Sequence, residues 1–196
     1  MNKRIGIFSG AFNPIHAGHI SFAIQSLKAA NLDQVYLMPE RHHPNKPGNE
    51  HYAHRLAMIT QAIKPHNRLA IIDSNERTFH VNKTLPMLQA KFKGDELVYL
   101  LGSDVLRTIN QWPNVERLLT FMELVVGIRE NDQDIVPGLI NNLPIPPQRV
   151  YLINSYAPGV SSTKVRSALR NQHHTDGVLT SVRNYSNRHW LYVSLS

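Results

Sequence analysis

Six short apolar runs, separated by segments of mostly helical periodicity, constrain this chain more than any other feature. The runs are residues 4–9, Val35-Tyr36-Leu37-Met38, Leu69-Ala70-Ile71-Ile72, Leu97-Val98-Tyr99-Leu100-Leu101, Leu124-Val125-Val126-Gly127-Ile128 and Val150-Tyr151-Leu152-Ile153. Helical patterns fall at residues 18–30, with Ile20, Ala23, Ile24 and Leu27 on one face, and at 51–63, with Leu56, Met58, Ile59 and Ile63 as core candidates. Further helices are expected at 82–92, started or interrupted by Pro86, at 103–110, at about 114–120, from near Ser161, and over roughly 175–186. Continuous apolar strands alternating with amphipathic helices predict an α/β fold: a Rossmann-like doubly wound parallel sheet of about six strands, covered by helices on both faces. Crossovers in such a sheet are right-handed. Ligands bind beyond the C-terminal strand ends, near the topological switch point, so the loops after the strands are where chemistry is sought.

The 196 residues suit one domain, 1–196, with a helical C-terminal portion from about 161. A polar stretch from Glu40 to about Asn49 is a loop by composition, and 131–148, holding four of the twelve prolines, is loop-rich. There is no cysteine, which excludes a disulfide framework, thiol chemistry and cysteine-ligated zinc. The chain enters a strand at once (Arg4-Ile5-Gly6-Ile7-Phe8), without a signal-peptide pattern, and no apolar stretch reaches membrane-span length. The expectation is a cytoplasmic protein without membrane contact. The net charge of +7 is scattered, not gathered into a run. It suits a small polyanionic ligand or a solvated basic surface, and no interleaved aromatics or known motif argue for nucleic acid.

Strand one ends in Ser9-Gly10-Ala11-Phe12-Asn13-Pro14-Ile15-His16-Ala17-Gly18-His19. Small residues, an Asn-Pro turn and two histidines at a helix start form a coherent phosphate site. Gly10 and Gly18 permit close backbone approach, and the helix start offers free N–H groups and a positive dipole end to an anion. The imidazoles can donate to phosphate oxygens. Neither GxGxxG nor GxxxxGK[ST] is present. His16 and His19 also admit a reading as capping residues; a zinc pair lacks a third ligand at a plausible spacing.

Two later segments add to this. Val160-Ser161-Ser162-Thr163-Lys164-Val165-Arg166 begins a helix with consecutive hydroxyls, and Arg166 lies one turn in. Hydroxyl caps, a helix N-terminus and a guanidinium suit phosphate, although any capped helix with an Arg reads the same way. Strand four runs into Gly102-Ser103-Asp104, with Trp112 eight residues after Asp104. A carboxylate at a strand end can accept ribose hydroxyls, and an indole offers a flat face to a planar ring. The plainer alternatives are a helix cap for Asp104 and packing for Trp112.

Together these segments resemble the HxGH adenylyltransferases. The first is similar to (G/S)-G-x-F-(D/N)-P-x-H-x-G-H, matched at Gly10, Phe12, Asn13, Pro14, His16, Gly18 and His19; the second resembles (I/V)-S-S-T-x-(I/V)-R. The third resembles the G-x-D-x(7)-W element of the bacterial nicotinate mononucleotide adenylyltransferases, and Leu191-Tyr192 resembles that family's terminal Leu-Tyr. The resemblance implies adenylyl transfer from ATP to nicotinate mononucleotide, with Mg2+ held by ATP and water and no metal ligand from the protein. It implies ATP contacts from Ser9, Gly10, Ala11, Phe12, His16, Gly18, His19, Gly102, Asp104, Ser161, Ser162, Thr163 and Arg166, with His16, His19 and Arg166 at the chemistry. The mononucleotide is expected at Asn13, Lys46, Thr84, Trp112 and Arg129. The partners are then small nucleotides, with a homo-oligomer left open.

The pattern departs from the family at several points. Arg129 is followed by Glu130-Asn131 rather than Pro-Gly. The second loop reads Arg41-His42-His43-Pro44-Asn45-Lys46-Pro47 where P-P-H-(K/R) is usual; His42 and His43 in it are phosphate candidates, and Lys46 and Arg55 are comparable ones. Thr78-Phe79-His80-Val81-Asn82-Lys83-Thr84-Leu85 keeps the end of an S-Y-T-x-x-T-L stretch and lacks its beginning, and Ala11 stands where Thr is commoner. These differences leave open another HxGH transferase, one using nicotinamide mononucleotide or another phosphorylated acceptor, or a non-catalytic nucleotide-binding protein.

Overall fold

The computed structural model describes residues 2–41, 49–129, 131–154, 159–173 and 176–193. Its strands are β1 (Arg4–Gly10), β2 (Gln34–Pro39), β3 (Leu69–Ile71), β4 (Glu96–Gly102), β5 (Met122–Ile128) and β6 (Val150–Asn154), all parallel, in the order β3-β2-β1-β4-β5-β6. The order reverses between β1 and β4, whose C-terminal ends Gly10 and Gly102 therefore flank the switch point.

Successive side chains of a strand point to opposite faces, so each run feeds two cores. Phe8, Val98, Leu100 and Val125 pack under α1 (Ala17–Ala29), α2 (Tyr52–Ile63), α7 (Ser162–Arg170) and α8 (Thr180–Arg188). Ile5, Ile7, Leu97, Tyr99, Leu101, Leu124 and Val126 pack on the other face, under α3 (Val81–Lys91), α4 (Ser103–Leu106), α5 (Val115–Phe121) and α6 (Val136–Asn141). The doubly wound sheet expected from the apolar runs is the one observed.

The element boundaries differ where local signals compete. Helix α3 begins at Val81, ahead of Pro86, which lies inside it. The helix expected over 103–110 stops at Leu106 and is followed by a 3-10 turn, Ile109–Gln111. The proline-rich 131–148 stretch contains α6, with proline at its first turn, where the missing N–H costs nothing. Helix α8 starts at Thr180, later than the pattern suggested, after Gly177 at φ 108. No helix of the described residues is long and apolar enough to cross a membrane.

Candidate active site

The site starts where β1 ends. Phe12 takes φ 44, a left-handed conformation that costs a bulky residue roughly 1–2 kcal/mol. Its ring is buried edge-on against Phe8 at 5.2 Å and against His19 at 5.0 Å, which supports the turn from strand into helix. His16 caps α1 from an extended backbone, and its N–H donates to His19 Nδ1 at 3.2 Å. An accepting Nδ1 places the proton of a neutral His19 ring on Nε2. The two imidazoles stack with centroids 3.6 Å apart. Burial, and secondarily the Arg129 charge, lowers the His16 pKa to about 4, so this ring is neutral at pH 7. Its Nδ1 is buried without a hydrogen-bond partner among the described residues.

Helix α7 brings the second segment against the first. Ser161 Oγ caps the helix by accepting from Lys164 N at 3.3 Å. The Ser162 hydroxyl donates to the Pro14 carbonyl at 3.1 Å, and Arg166 donates to the Asn13 carbonyl at 2.8 Å and to Thr163 Oγ1 at 3.1 Å. Helix α7 is thus hydrogen-bonded to the loop that leads from β1 into α1, and residues at the N-terminal ends of both helices line one space, where their dipoles favour an anion.

The third segment forms the far wall. Gly102 precedes α4, and a Cβ there would run into the Asp104 carboxylate, which folds back over it. Asp104 pairs with Arg129 at 2.8 Å, both half exposed. Beneath them the buried Ser103 hydroxyl donates to Asp132 at 2.5 Å and accepts the Arg129 N–H at 3.2 Å; Arg107 meets the same carboxylate at 2.5 Å. The Ser103 and Arg107 hydrogen bonds hold the Asp132 carboxyl below the usual range. Trp112 follows the 3-10 turn, half buried, with its ring 5.8 Å from Phe79 and 6.1 Å from Tyr99. Tyr99 in turn shares a 2.6 Å hydrogen bond with Ser9 Oγ.

These walls enclose a cleft of about 900 Å3, the size of a small-molecule site. Ser9, Gly10, Ala11, Phe12, Asn13, His16, Gly18, His19, Gly102, Asp104, Trp112, Arg129, Ser161, Ser162, Thr163 and Arg166 all line it. Thr84 does not: it is fully buried in α3, where its hydroxyl accepts the His80 N–H at 3.0 Å. Lys46, His42 and His43 lie outside the described residues. Arg55, a phosphate candidate from its sequence neighbourhood, is only 1% exposed and donates to the carbonyls of Ala11, Glu50 and Arg41 at 2.5, 3.0 and 3.1 Å. A guanidinium spent on three backbone carbonyls braces loops rather than binding phosphate.

Residues missed by the sequence reading also reach the cleft: Gln25, Glu40, Tyr99, Asn131, Asp132 and Lys164. Lys164 occupies the variable position of the second segment and had a local signal. Asp132 had none, because its partner Ser103 is 29 positions away. Among the described residues no group of three or more His, Asp or Glu side chains could hold a metal ion.

Known proteins resemble this chain over most of its length. Residues 7–168 match the cytidylyltransferase-like family. A protein of Synechococcus sp. (strain JA-3-3Ab), named a probable nicotinate-nucleotide adenylyltransferase, is 32% identical over 197 residues, covering 97% of this chain and 95% of its own. The chain belongs to the nicotinate-nucleotide adenylyltransferases of the cytidylyltransferase-like family. The nicotinate-nucleotide adenylyltransferase of Bacillus subtilis (strain 168) is 29% identical over 201 residues, covering 98% of this chain and all of its own. Among solved structures, the Plasmodium falciparum nicotinic acid mononucleotide adenylyltransferase complexed with NaAD aligns over 100% of both chains with a TM-score of 0.83 at 19% identity, which establishes a shared fold. Residues 9–19 span, in this chain, the turn from β1 into α1, at the switch point.

Proposed function

We propose that the cleft transfers the adenylyl group of ATP to nicotinate mononucleotide. A phosphate oxygen of the mononucleotide attacks the α-phosphorus of ATP. The bond from that phosphorus to the β-phosphate bridging oxygen breaks in line, and the products are nicotinate adenine dinucleotide and pyrophosphate. The reaction needs no protein nucleophile, so catalysis is positioning and charge stabilisation. The single observation that carries this reading is the hydrogen-bonded junction of α7 with the loop leading into α1, at Ser162–Pro14 and Arg166–Asn13, over a cleft walled on its far side by Asp104, Arg129 and Trp112.

In this reading the nucleotide lies along Ser9, Gly10, Ala11, Phe12 and Gly18, with its ribose at Gly102 and Asp104. His16 and His19 meet its phosphates. His19 donates from Nε2 to the charge that develops at the α-phosphate; its tautomer is set by the His16 N–H. Ser161, Ser162, Thr163 and Arg166 hold the departing pyrophosphate, and Trp112 and Arg129 take the pyridine mononucleotide. Magnesium would be held by the phosphate oxygens of ATP and water rather than by side chains of this protein, and would supply neutralisation of phosphate charge.

The test is pyrophosphate release from MgATP with nicotinate mononucleotide, its amide and phosphopantetheine offered separately, with the product identified by mass. Release with nicotinate mononucleotide and formation of its adenine dinucleotide are expected. Release only with another acceptor, or none while ATP still binds, overturns the reading.

A further inference from the structure

The loop that carries the phosphate-binding histidines is held from below by a residue far away in sequence. Asn13 is 3% exposed. Its side-chain oxygen accepts the Glu50 N–H at 3.2 Å and lies 2.9 Å from the Tyr192 hydroxyl, 179 positions away. A backbone N–H can only donate, so this oxygen is the acceptor and Tyr192 is the donor. Burial, reinforced by Glu50, pushes the Tyr192 phenol above its ordinary range, and the proton stays in place at any working pH. The Asn13 amide nitrogen donates to Asn49 at 2.8 Å, and its backbone carbonyl accepts from Arg166 at 2.8 Å. Asn13 is thus fixed by four protein groups.

Tyr192 is itself anchored. It is buried in the same core as Phe12 and Ile15, its N–H donates to Glu50 Oε1 at 3.4 Å, and the preceding Leu191 carbonyl accepts the Ser186 hydroxyl of α8 at 3.0 Å. It does not line the cleft. Asn13 lies three positions before His16, and the Asn13 carbonyl is the one that Arg166 grips. A change in the setting of Asn13 therefore reaches a histidine and the arginine together.

We infer that Tyr192 is a positioning residue for adenylyl transfer, its hydroxyl fixing Asn13 and, through Asn13, the relative placement of His16 and Arg166. The role rests on the function proposed above. Displacements well under 1 Å in such a loop cost rate rather than affinity, because they disturb alignment in the transition state.

The experiment is a double-mutant cycle in kcat, using Tyr192→Phe, Asn13→Ala and both together, with kcat expressed per folded site counted by binding of a nonhydrolysable ATP analogue. Tyr192→Phe is expected to lower kcat about tenfold while KM for either substrate moves less than about threefold. In the Asn13→Ala background the same change is expected to have no further effect. Should Asn13→Ala not fold, Asn13→Ser takes its place. Wild-type kcat in Tyr192→Phe overturns the inference, and so does a full tenfold loss that persists in the Asn13 variant. Absence of wild-type turnover with nicotinate mononucleotide in the same series overturns the functional reading and this role with it. Wild-type turnover with an unaffected Tyr192→Phe overturns this role alone.

Discussion

Acidification should destabilise this protein through one buried histidine. In the folded, nucleotide-free chain His16 has a pKa of about 4, from burial first and Arg129 second. In the unfolded chain it titrates near its ordinary value of 6.5. Well above 6.5 both states are neutral and the group contributes no pH dependence. As the pH falls from 6.5 towards 4 only the unfolded chain takes up the proton, so stability is lost at about 1.4 kcal/mol per pH unit. Between pH 7 and pH 5 the loss from this group amounts to about 2 kcal/mol, and it levels off below about 4. That is a large share of the roughly 5–15 kcal/mol available to a domain. Other groups titrate over the same range, so the comparison is with His16→Gln, which cannot protonate there. Urea unfolding of both proteins at pH 7 and pH 5 gives four stabilities. The wild type should lose about 2 kcal/mol more than the variant between the two pH values. Equal losses would mean that the buried ring accepts a proton freely, and the account of a neutral His16 beside Arg129 would be wrong.

Three further outcomes follow from the same geometry. His19→Ala should lower kcat about 100- to 1000-fold, as removal of an oxyanion-type donor does, in the pyrophosphate-release assay; near-full rate removes His19 from the chemistry. Trp112→Ala should raise KM for the mononucleotide more than KM for ATP in steady-state kinetics, whereas equal losses count against ring stacking. Gly6→Ala should cost about 1–3 kcal/mol in urea unfolding, because its Cβ would lie 2.8 Å from Leu32 Cδ1 and 2.9 Å from Val35 Cγ2 in a packed core; unchanged stability would show that these side chains yield freely.

The legible part of this protein was local. Hydrophobic period and length mark strands and helices without knowledge of neighbours, so β1, β2, β4 and β5 fell where the apolar runs lie. The ends of elements were less legible. Whether 103–110 forms one helix or a helical turn followed by 3-10 geometry depends on what it packs against, and the six-residue α6, with Pro137 in its first turn and three prolines soon after it, carries no periodic signal long enough to read. The cleft-lining residues His16, His19, Ser162 and Trp112 were legible because each lies in a short contiguous segment at or just after a strand end or helix start. Thr84 looked similar to them in sequence. The fold buries it in α3, where its hydroxyl closes a turn at 3.0 Å.

What the sequence determined by itself was the set of parts: six strands, their covering helices, and three short segments whose backbone and side chains suit phosphate, ribose and a flat ring. What only the tertiary structure decided was which of those parts meet. The bond from Arg166 to the Asn13 carbonyl spans 153 positions, that from Tyr192 to the Asn13 side chain 179, and that from Ser103 to Asp132 29. No periodicity or propensity records a contact between such distant residues. They are brought together when the strand order reverses between β1 and β4 and both faces of the sheet are buried, so the cleft is a product of burial acting on the whole chain.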